Sequence, residues 1–426
     1  MHIEKNVNDN ILWILFNIDG KSKDNLNARL DLKEMGIRSE LHPIDNGNNF
    51  VIPQACYTLN LDERRVVCQF LANLKVPDGY SSNISQCVNV KEGQLTGMKS
   101  HDCHVFIEDH LPPAFRGILP KEVYEPLVEL SIFFKQLCSK TLKIDMLERL
   151  EHNIVMTICK LELIFPPAFF DIMIHLPIHL PLEARLAGLV HYRWMYPFER
   201  YLRKLKSNVR NKAHPEGSIA LAYLADKCLT FCSRYLDRTE TKFNRQERNF
   251  EGPKMQVTEL PIFQNNGRPL NRGKGIFRKL SYQDWNHAQL YILKNCEEVQ
   301  PFLIEHQKEL EEEGLRNLPS RQDETFVKWF ESRIQRAHCE GNGSVSIQLL
   351  HLSCGPNRMV TCYSGYIVNG FRFHTYKREI RRQIQNSGVI VKGDEQSGSR
   401  EYYGVLTDIL ELEYGGRNKI VLFKCD

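Results

Sequence analysis

Apolar residues recur at helical spacing through most of the first 236 positions and change to short β-rich runs only after residue 360. Ile11, Leu12, Leu15 and Phe16 cluster on one face, and a second helix follows near Asn25–Met35. Leu61–Leu74 is predicted as a helix opened by Asp62 and Glu63, acids that suit a helix N-terminus. The periodicity continues over Glu122–Ser139, Ile144–Phe165, His175–Ala187, Arg193–Lys212 and Ile219–Leu236. Gly47–Pro53 and Pro77–Gly97 read as loops. Helical spacing returns over Ser281–Leu315 and Glu324–Ala337. From Tyr363 the pattern changes: Tyr366–Phe373 is two β-rich runs around Asn369-Gly370, the strongest short hairpin signal. Val389–Val391, Tyr402–Leu412 and Lys419–Phe423 supply further strands, with Gly415-Gly416 as the turn between the last two.

The expected class is therefore α+β, with a mainly helical N-terminal two-thirds and a small β-rich C-terminal domain. The expected organisation is a helical segment over 1–97, a second over 98–236, a basic linker over 237–283, a further helical segment over 284–340, and the β-rich domain over 360–426.

The helix expected over Arg193–Lys212 is the most unusual element. Pro197 suits its first turn, where the missing N–H would have no partner anyway. Phe198, Tyr201, Leu202, Leu205 and Val209 mark one face for burial. The other face is crowded with Arg200, Arg203, Lys204, Lys206, Arg210 and Lys212, and His214-Pro215-Glu216-Gly217 is the expected stop. Glu199 is a lone acid at the head of this cationic helix. A Glu in a first turn interacts well with the helix dipole, and basic residues often form a plain solvated face. The alternative is a metal-binding acid beside a phosphate-binding surface.

With 426 residues, two to four domains are expected. Hydrophobic residues make up 42% and charged residues 25%, as in a folded globular chain. The net charge is only +4, so any affinity for nucleic acid must come from local patches. The 13 cysteines are odd in number and irregularly spaced, and Met1–Asn10 is polar and charged, so they read as reduced thiols of an intracellular protein. Leu163–Leu182 is apolar over about the length of a membrane span, but Pro166, Pro167, Pro177, Pro181, Asp171, His175 and His179 interrupt it. A buried segment broken by prolines is expected there, and no membrane partner.

His101, Cys103 and His104 lie within four residues, and His175 and His179 are four apart, so together they offer a zinc site of Cys/His type. Their spacing matches no standard finger, and packing or interface histidines are the competing reading. Cys228 and Cys232, flanking Leu229 and Phe231, read as small buried hydrophobes. Arg268–Lys279 holds five basic residues and no acid, with Phe277 inside it and Tyr282 nearby, which fits either phosphate contact with base stacking or a solvated linker. Arg372, Lys377, Arg378, Arg381 and Arg382 read as surface charge.

Three blocks carry a family resemblance. The first is Met1–Val7 with Ala28–Leu32 and Glu34–Arg38. The second runs from Gly97–His104 through Phe165–Asp171 to Arg193–Arg200 and Pro215–Gly217. The third is Tyr363–Phe373, ending in Tyr402–Asp408. Together they resemble the plant CACTA (En/Spm-type) DNA transposases over nearly the whole chain. The second and third blocks resemble two plant domains of unknown function found in these transposon proteins.

The resemblance implies the helical insertion and last helix of an RNase H-like core, with its sheet largely missing. Such transposases are thought to cut DNA with an acidic triad and Mg²⁺. The family pattern places one Asp a few residues before His2 and the first catalytic Asp further upstream, both ahead of Met1. Met1 then reads as an internal Met, and the chain as a truncated remnant that is inactive by itself. Glu199 is implied as the third acid, with Glu183 and Glu216 as alternatives. DNA at transposon ends and other transposase subunits are the implied partners, and the nucleus the implied compartment. A non-enzymatic DNA- or protein-binding scaffold derived from a transposon is the alternative.

Overall fold

A computed structural model describes residues 1–47, 49–236, 239–241, 243–250, 260–264, 267–270, 275–312, 318–340, 345–392 and 401–426. The fold is α+β, and its contacts divide it into two units: 1–75 with 79–243, and 76–78 with 244–426.

The first unit is helical. Its elements are α1 (His2–Leu15), α2 (Leu26–Glu34), α3 (Leu61–Asn73), α4 (Ser100–Val105), α5 (Leu111–Phe115), α6 (Lys121–Leu137), α7 (Ile144–Glu162), α8 (Ile172–His175), α9 (Leu180–Ala187), α10 (Tyr196–Ser207) and α11 (Pro215–Ser233). Its described strands form two minimal hairpins, β1 (Ile44–Asp45) with β2 (Phe50–Val51) and β3 (Val88–Asn89) with β4 (Gln94–Leu95). The core joins Val7, Ile11 and Leu15 of α1 to Val67 and Leu71 of α3, Leu127 and Phe134 of α6, Ile154 of α7, and Phe16, Phe106, Phe115, Phe165 and Phe169.

Local chemistry fixes the helix ends. Asn60 and Glu63 form a reciprocal capping box at the start of α3, so the cap is Asn60 and not the acids one turn in. Arg38 donates to the carbonyls of Ile164 and Phe165 just past α7, groups a helix C-terminus leaves unpaired. Between α4 and α5 the backbone forms a π-turn over Phe106–His110, and Ser131 of α6 donates to the Glu108 carbonyl there at 3.1 Å. Such π-turns are rare and concentrate at functional sites. The apolar stretch at 163–182 is cut into α8 and short 3₁₀ turns at Pro167–Phe169 and Leu176–His179. Among the described residues no helix is long and apolar enough to cross a membrane.

The second unit combines helices and sheets. β5 (Gly267–Pro269), β6 (Ile276–Lys279), α12 (Tyr282–Lys294), α13 (Gln300–Glu312), α14 (Leu318–Cys339) and α15 (Ile347–Ser353) precede β7 (Met359–Tyr363), β8 (Gly365–Val368), β9 (Phe371–His374), α16 (Tyr376–Glu379), β10 (Gly388–Lys392), β11 (Glu401–Glu413) and β12 (Lys419–Cys425). The pairings between these strands are antiparallel: one sheet runs β10-β11-β7-β6 with β12 also on β11, the other β5-β8-β9. Asn369 and Gly370 sit at φ 51° and 75°, which closes the expected β8–β9 hairpin.

The expected linker over 237–283 needs correction where it is described. β5 and β6 pair with β8 and β7, and Leu260, Phe263 and Leu280 are buried. Residues 237–238, 242, 251–259, 265–266 and 271–274 of that linker lie outside the described residues. The helices over 284–340 and the strands after 360 share one core, in which Leu293, Phe326, Phe330 and Ile334 meet Leu412 and Tyr414. Inside it, Tyr414 donates to Gln289 and Gln289 to the Leu352 carbonyl, each at 2.7 Å. These buried polar groups are therefore satisfied.

Candidate functional site

The basic helix forms, but shorter than its pattern suggested and without a buried face. α10 spans Tyr196–Ser207, with Pro197 in its first turn as expected. Pro215 does not stop it: Pro215 opens α11, where a proline at the first helical position loses no hydrogen bond. No residue of α10 or α11 is buried. Phe198, Tyr201 and Leu202, expected inside, are exposed, as are Leu221, Leu224, Leu229 and Phe231 of α11. Cys228 and Cys232, expected as packed hydrophobes, are exposed too. The periodicity correctly signalled an amphipathic helix, but among the described residues the apolar side stays exposed.

The opposite side carries the cations. The Arg200 guanidinium lies 5.0 Å from the centre of the Tyr196 ring, a cation–π contact. Lys204 donates to Asp226 of α11 at 3.1 Å and ties the two helices together. Arg203, Lys206, Arg210 and Lys212 are exposed. Among the described residues none of these four has an ion pair. Among the described residues Asp226 is the acid that pairs with this cationic side, and the sequence pattern did not single it out.

Glu199 sits in the first turn of α10 with an exposed side chain that makes no hydrogen bond or ion pair among the described residues. It belongs to no group of three metal-ligand side chains there. A two-ion cleavage centre needs several converging carboxylates, so Glu199 with its present neighbours does not fit Mg²⁺. Of the alternatives, Glu183 lies 3.9 Å from Arg193, and Glu216 lies 3.6 Å from His214.

The proposed zinc ligands do not assemble as a set. His175 and His179 bring their Nε2 atoms within 3.0 Å of each other, but both are exposed and no third ligand joins them among the described residues. His101 is exposed. Cys103 is buried, and burial pushes its thiol up to about 12. His104 alone enters a ligand cluster, and its companions are Glu4, Glu108 and Cys138.

In that cluster His104 Nδ1 lies 2.9 Å from Glu4 Oε1 and 3.3 Å from Glu108 Oε1, and the Cys138 thiol donates to Glu4 Oε1 at 3.7 Å. Burial opposes charge on Glu4, but the His104 hydrogen bond and the Met1 ammonium outweigh it and hold the carboxyl low. Burial likewise opposes charge on His104, and Glu4 with Glu108 reverses this and raises the ring. Burial, with Glu4 adding, pushes the Glu108 carboxyl up to about 7 and pushes the Cys138 thiol up as well. Glu4 and Cys138 had no sequence signal, since they lie far from His104 in the chain and meet it only in the fold, whereas Glu108 stands four residues after His104, a helical spacing the sequence reading passed over.

Residues 137–250 match a family described as a domain of unknown function, DUF4218, which is found in plant transposase-related proteins. The match takes in α7 to α11, including the basic helix. No curated protein and no solved structure matches the chain.

Proposed function

We propose that this chain is a DNA-binding, non-cleaving portion of a transposon-derived protein of the CACTA type, acting in the nucleus. The observation that carries the reading is the uncompensated basic side of α10 and the loop after it. Arg203, Lys206, Arg210 and Lys212 face solvent without ion pairs among the described residues, and a mostly basic exposed helix is the electrostatic footprint of a phosphate-binding surface. The matched plant domain covers this helix, which supports the transposon connection. Glu199 joins no group of three metal-ligand side chains among the described residues, which supports a chain that holds DNA through charge.

The test is fluorescence anisotropy with a labelled duplex at several salt concentrations. The parent should bind with an affinity that falls steeply with salt. Changing Arg200, Arg203 and Lys206 to Ala should weaken binding and flatten that dependence. Equal binding by parent and triple variant at every salt concentration would reject the reading.

One observation favours a second reading, the protein-binding scaffold. Phe198 and Leu202 of α10 and Leu221, Leu224 and Phe231 of α11 are exposed apolar side chains. Exposed apolar surface of this kind marks interaction sites. A chain that ignores DNA yet forms stable assemblies, lost on changing Leu221 and Leu224 to Gln, would favour it.

A further inference from the structure

The cluster around His104 has the composition and closure of a metal site, and it does not depend on the DNA-binding reading. Its members come from three elements of the first unit: Glu4 from α1, His104 from α4 with Glu108 from the π-turn that follows it, and Cys138 from the C-terminal cap of α6. One ligand atom from each lies within 4.8 Å of all the others. Their side chains are removed from water: Glu4 is 2% exposed, His104 11%, Glu108 13% and Cys138 8%.

The hydrogen-bond count shows what protons leave undone. His104 Nδ1 can carry one hydrogen, and Glu4 Oε1 takes it at 2.9 Å. Glu108 Oε1, 3.3 Å from the same nitrogen, is left without a hydrogen-bond partner. Glu4 Oε2 is met by the Met1 ammonium at 2.9 Å, which leaves Glu4 Oε1 to His104. Two buried carboxylate oxygens thus converge on one imidazole nitrogen, an arrangement that protons satisfy poorly and a cation satisfies well. The Trp194 ring packs edge-on against His104, at 5.3 Å between centroids.

We infer that Glu4, His104 Nδ1, Glu108 and Cys138 form a structural zinc site that ties α1, the α4–π-turn segment and α6 together. One imidazole nitrogen, one thiolate and two carboxylates suit Zn²⁺, whereas Mg²⁺ and Ca²⁺ avoid thiolate. Four protein ligands close the coordination shell, so the ion stabilises the fold and has no open position for a substrate. A tetrahedral ion with bonds of about 2.0–2.3 Å needs ligand atoms roughly 3–4 Å apart, close to the present spacing. Binding displaces the proton shared between Glu4 and His104 onto Nε2 or into solvent, together with the Cys138 thiol proton, so zinc uptake releases protons.

The test uses the full chain, dialysed against buffer without metal and then titrated with Zn²⁺ and, separately, Co²⁺. One equivalent of zinc per chain is expected by mass spectrometry of the metal content, with a rise in melting temperature on binding. Co²⁺ should give a thiolate charge-transfer band in the near ultraviolet. Cys138→Ser should abolish that band. Glu108→Gln should lower zinc affinity by more than the roughly 10–100-fold that loss of an outer-shell partner costs. If Cys138→Ser fails to fold, Glu108→Gln alone carries the comparison, since amide and carboxylate have the same shape. His175→Gln with His179→Gln should leave stoichiometry and affinity unchanged. A folded parent that takes up no zinc, a cobalt band that survives Cys138→Ser, or a loss of binding only in the His175/His179 pair would each overturn the inference.

Discussion

Two parts of the first unit are built from similar helices and put them to opposite use. In α1 to α7 the apolar stripe meets a partner, and Val7, Ile11, Leu71, Leu127, Phe134 and Ile154 are almost fully buried. In α10 the stripe is as regular, and α11 is rich in apolar residues, yet no residue of either helix is buried. Helical periodicity reports that a surface is ready to be covered; it does not report what covers it. A helix pair with little buried area draws little stability from packing. Its exposed cations and apolar side chains are therefore available for binding.

The contrast is broken most directly by truncating one large side chain on each side. Phe134→Ala in α6 removes a ring that is 0% exposed and should cost about 3–5 kcal/mol. Leu221→Ala in α11, at a residue 72% exposed, should change stability by no more than about 0.5 kcal/mol. Urea unfolding followed by far-ultraviolet circular dichroism measures both. A large loss from Leu221→Ala would mean that the hairpin is packed after all.

The second prediction concerns charge. Each cation that neutralises a phosphate contributes about 0.9 to the slope of log K against log salt. Changing Arg200, Arg203 and Lys206 to Ala should lower that slope by up to about 2.7. Unfolding midpoints should stay near the parent value, because all three side chains are exposed. A triple variant that unfolds early would move these residues from the binding side of the comparison to the structural side.

Sequence pattern carried the element order well because helix and hairpin signals are local. Asn369-Gly370 set the β8–β9 turn, and the helices at α3, α6 and α7 end within about three residues of their expected limits. What it missed is long-range. Glu4 and His104 are 100 residues apart, and Cys138 lies 134 from Glu4, so no spacing rule unites them. The density of ligands in His101-Asp102-Cys103-His104 did flag His104, yet on this stretch of helix His101 points to solvent and Cys103 is buried outside the cluster. The β5 and β6 strands were hidden because basic and glycine-rich composition masked short pairings completed by β8 and β7, about 85–100 residues later in the chain.

A third prediction tests buried against exposed charge by pH. His374 is 2% exposed and sits 3.2 Å from Glu379. Burial, with Arg378 and Arg382 adding against the opposing pull of Glu379, holds its ring below the ordinary histidine value. A depressed folded value means that protons bind the unfolded chain first. The stability linked to His374 is therefore present above about pH 6.5 and lost as pH falls below it. Thermal melts from pH 8 to pH 5 should show this loss in the parent and a flatter profile in His374→Gln. Identical profiles would exclude the histidine as the source. The salt slope of DNA binding, carried by the exposed side of α10 and not by His374, should not follow this loss.

The smallest effect is expected at the one ion pair that joins the two exposed helices. Lys204 and Asp226 meet at 3.1 Å, but their side chains are 57% and 59% exposed. Water and salt screen such a pair, and holding two long side chains in one geometry costs entropy, so it contributes about 0–1 kcal/mol. Asp226→Asn should barely shift the unfolding midpoint. It should nevertheless strengthen DNA binding, because it removes the acid that pairs with the basic face among the described residues and frees Lys204 for a phosphate. The double-mutant cycle of Asp226→Asn with Lys204→Ala separates the two effects. If Asp226→Asn tightens binding only while Lys204 is present, the pair restrains the DNA-binding face. If Asp226→Asn weakens binding, the pair is holding α10 in the orientation that DNA requires, and the hairpin is less independent of its internal contacts than its exposure suggests.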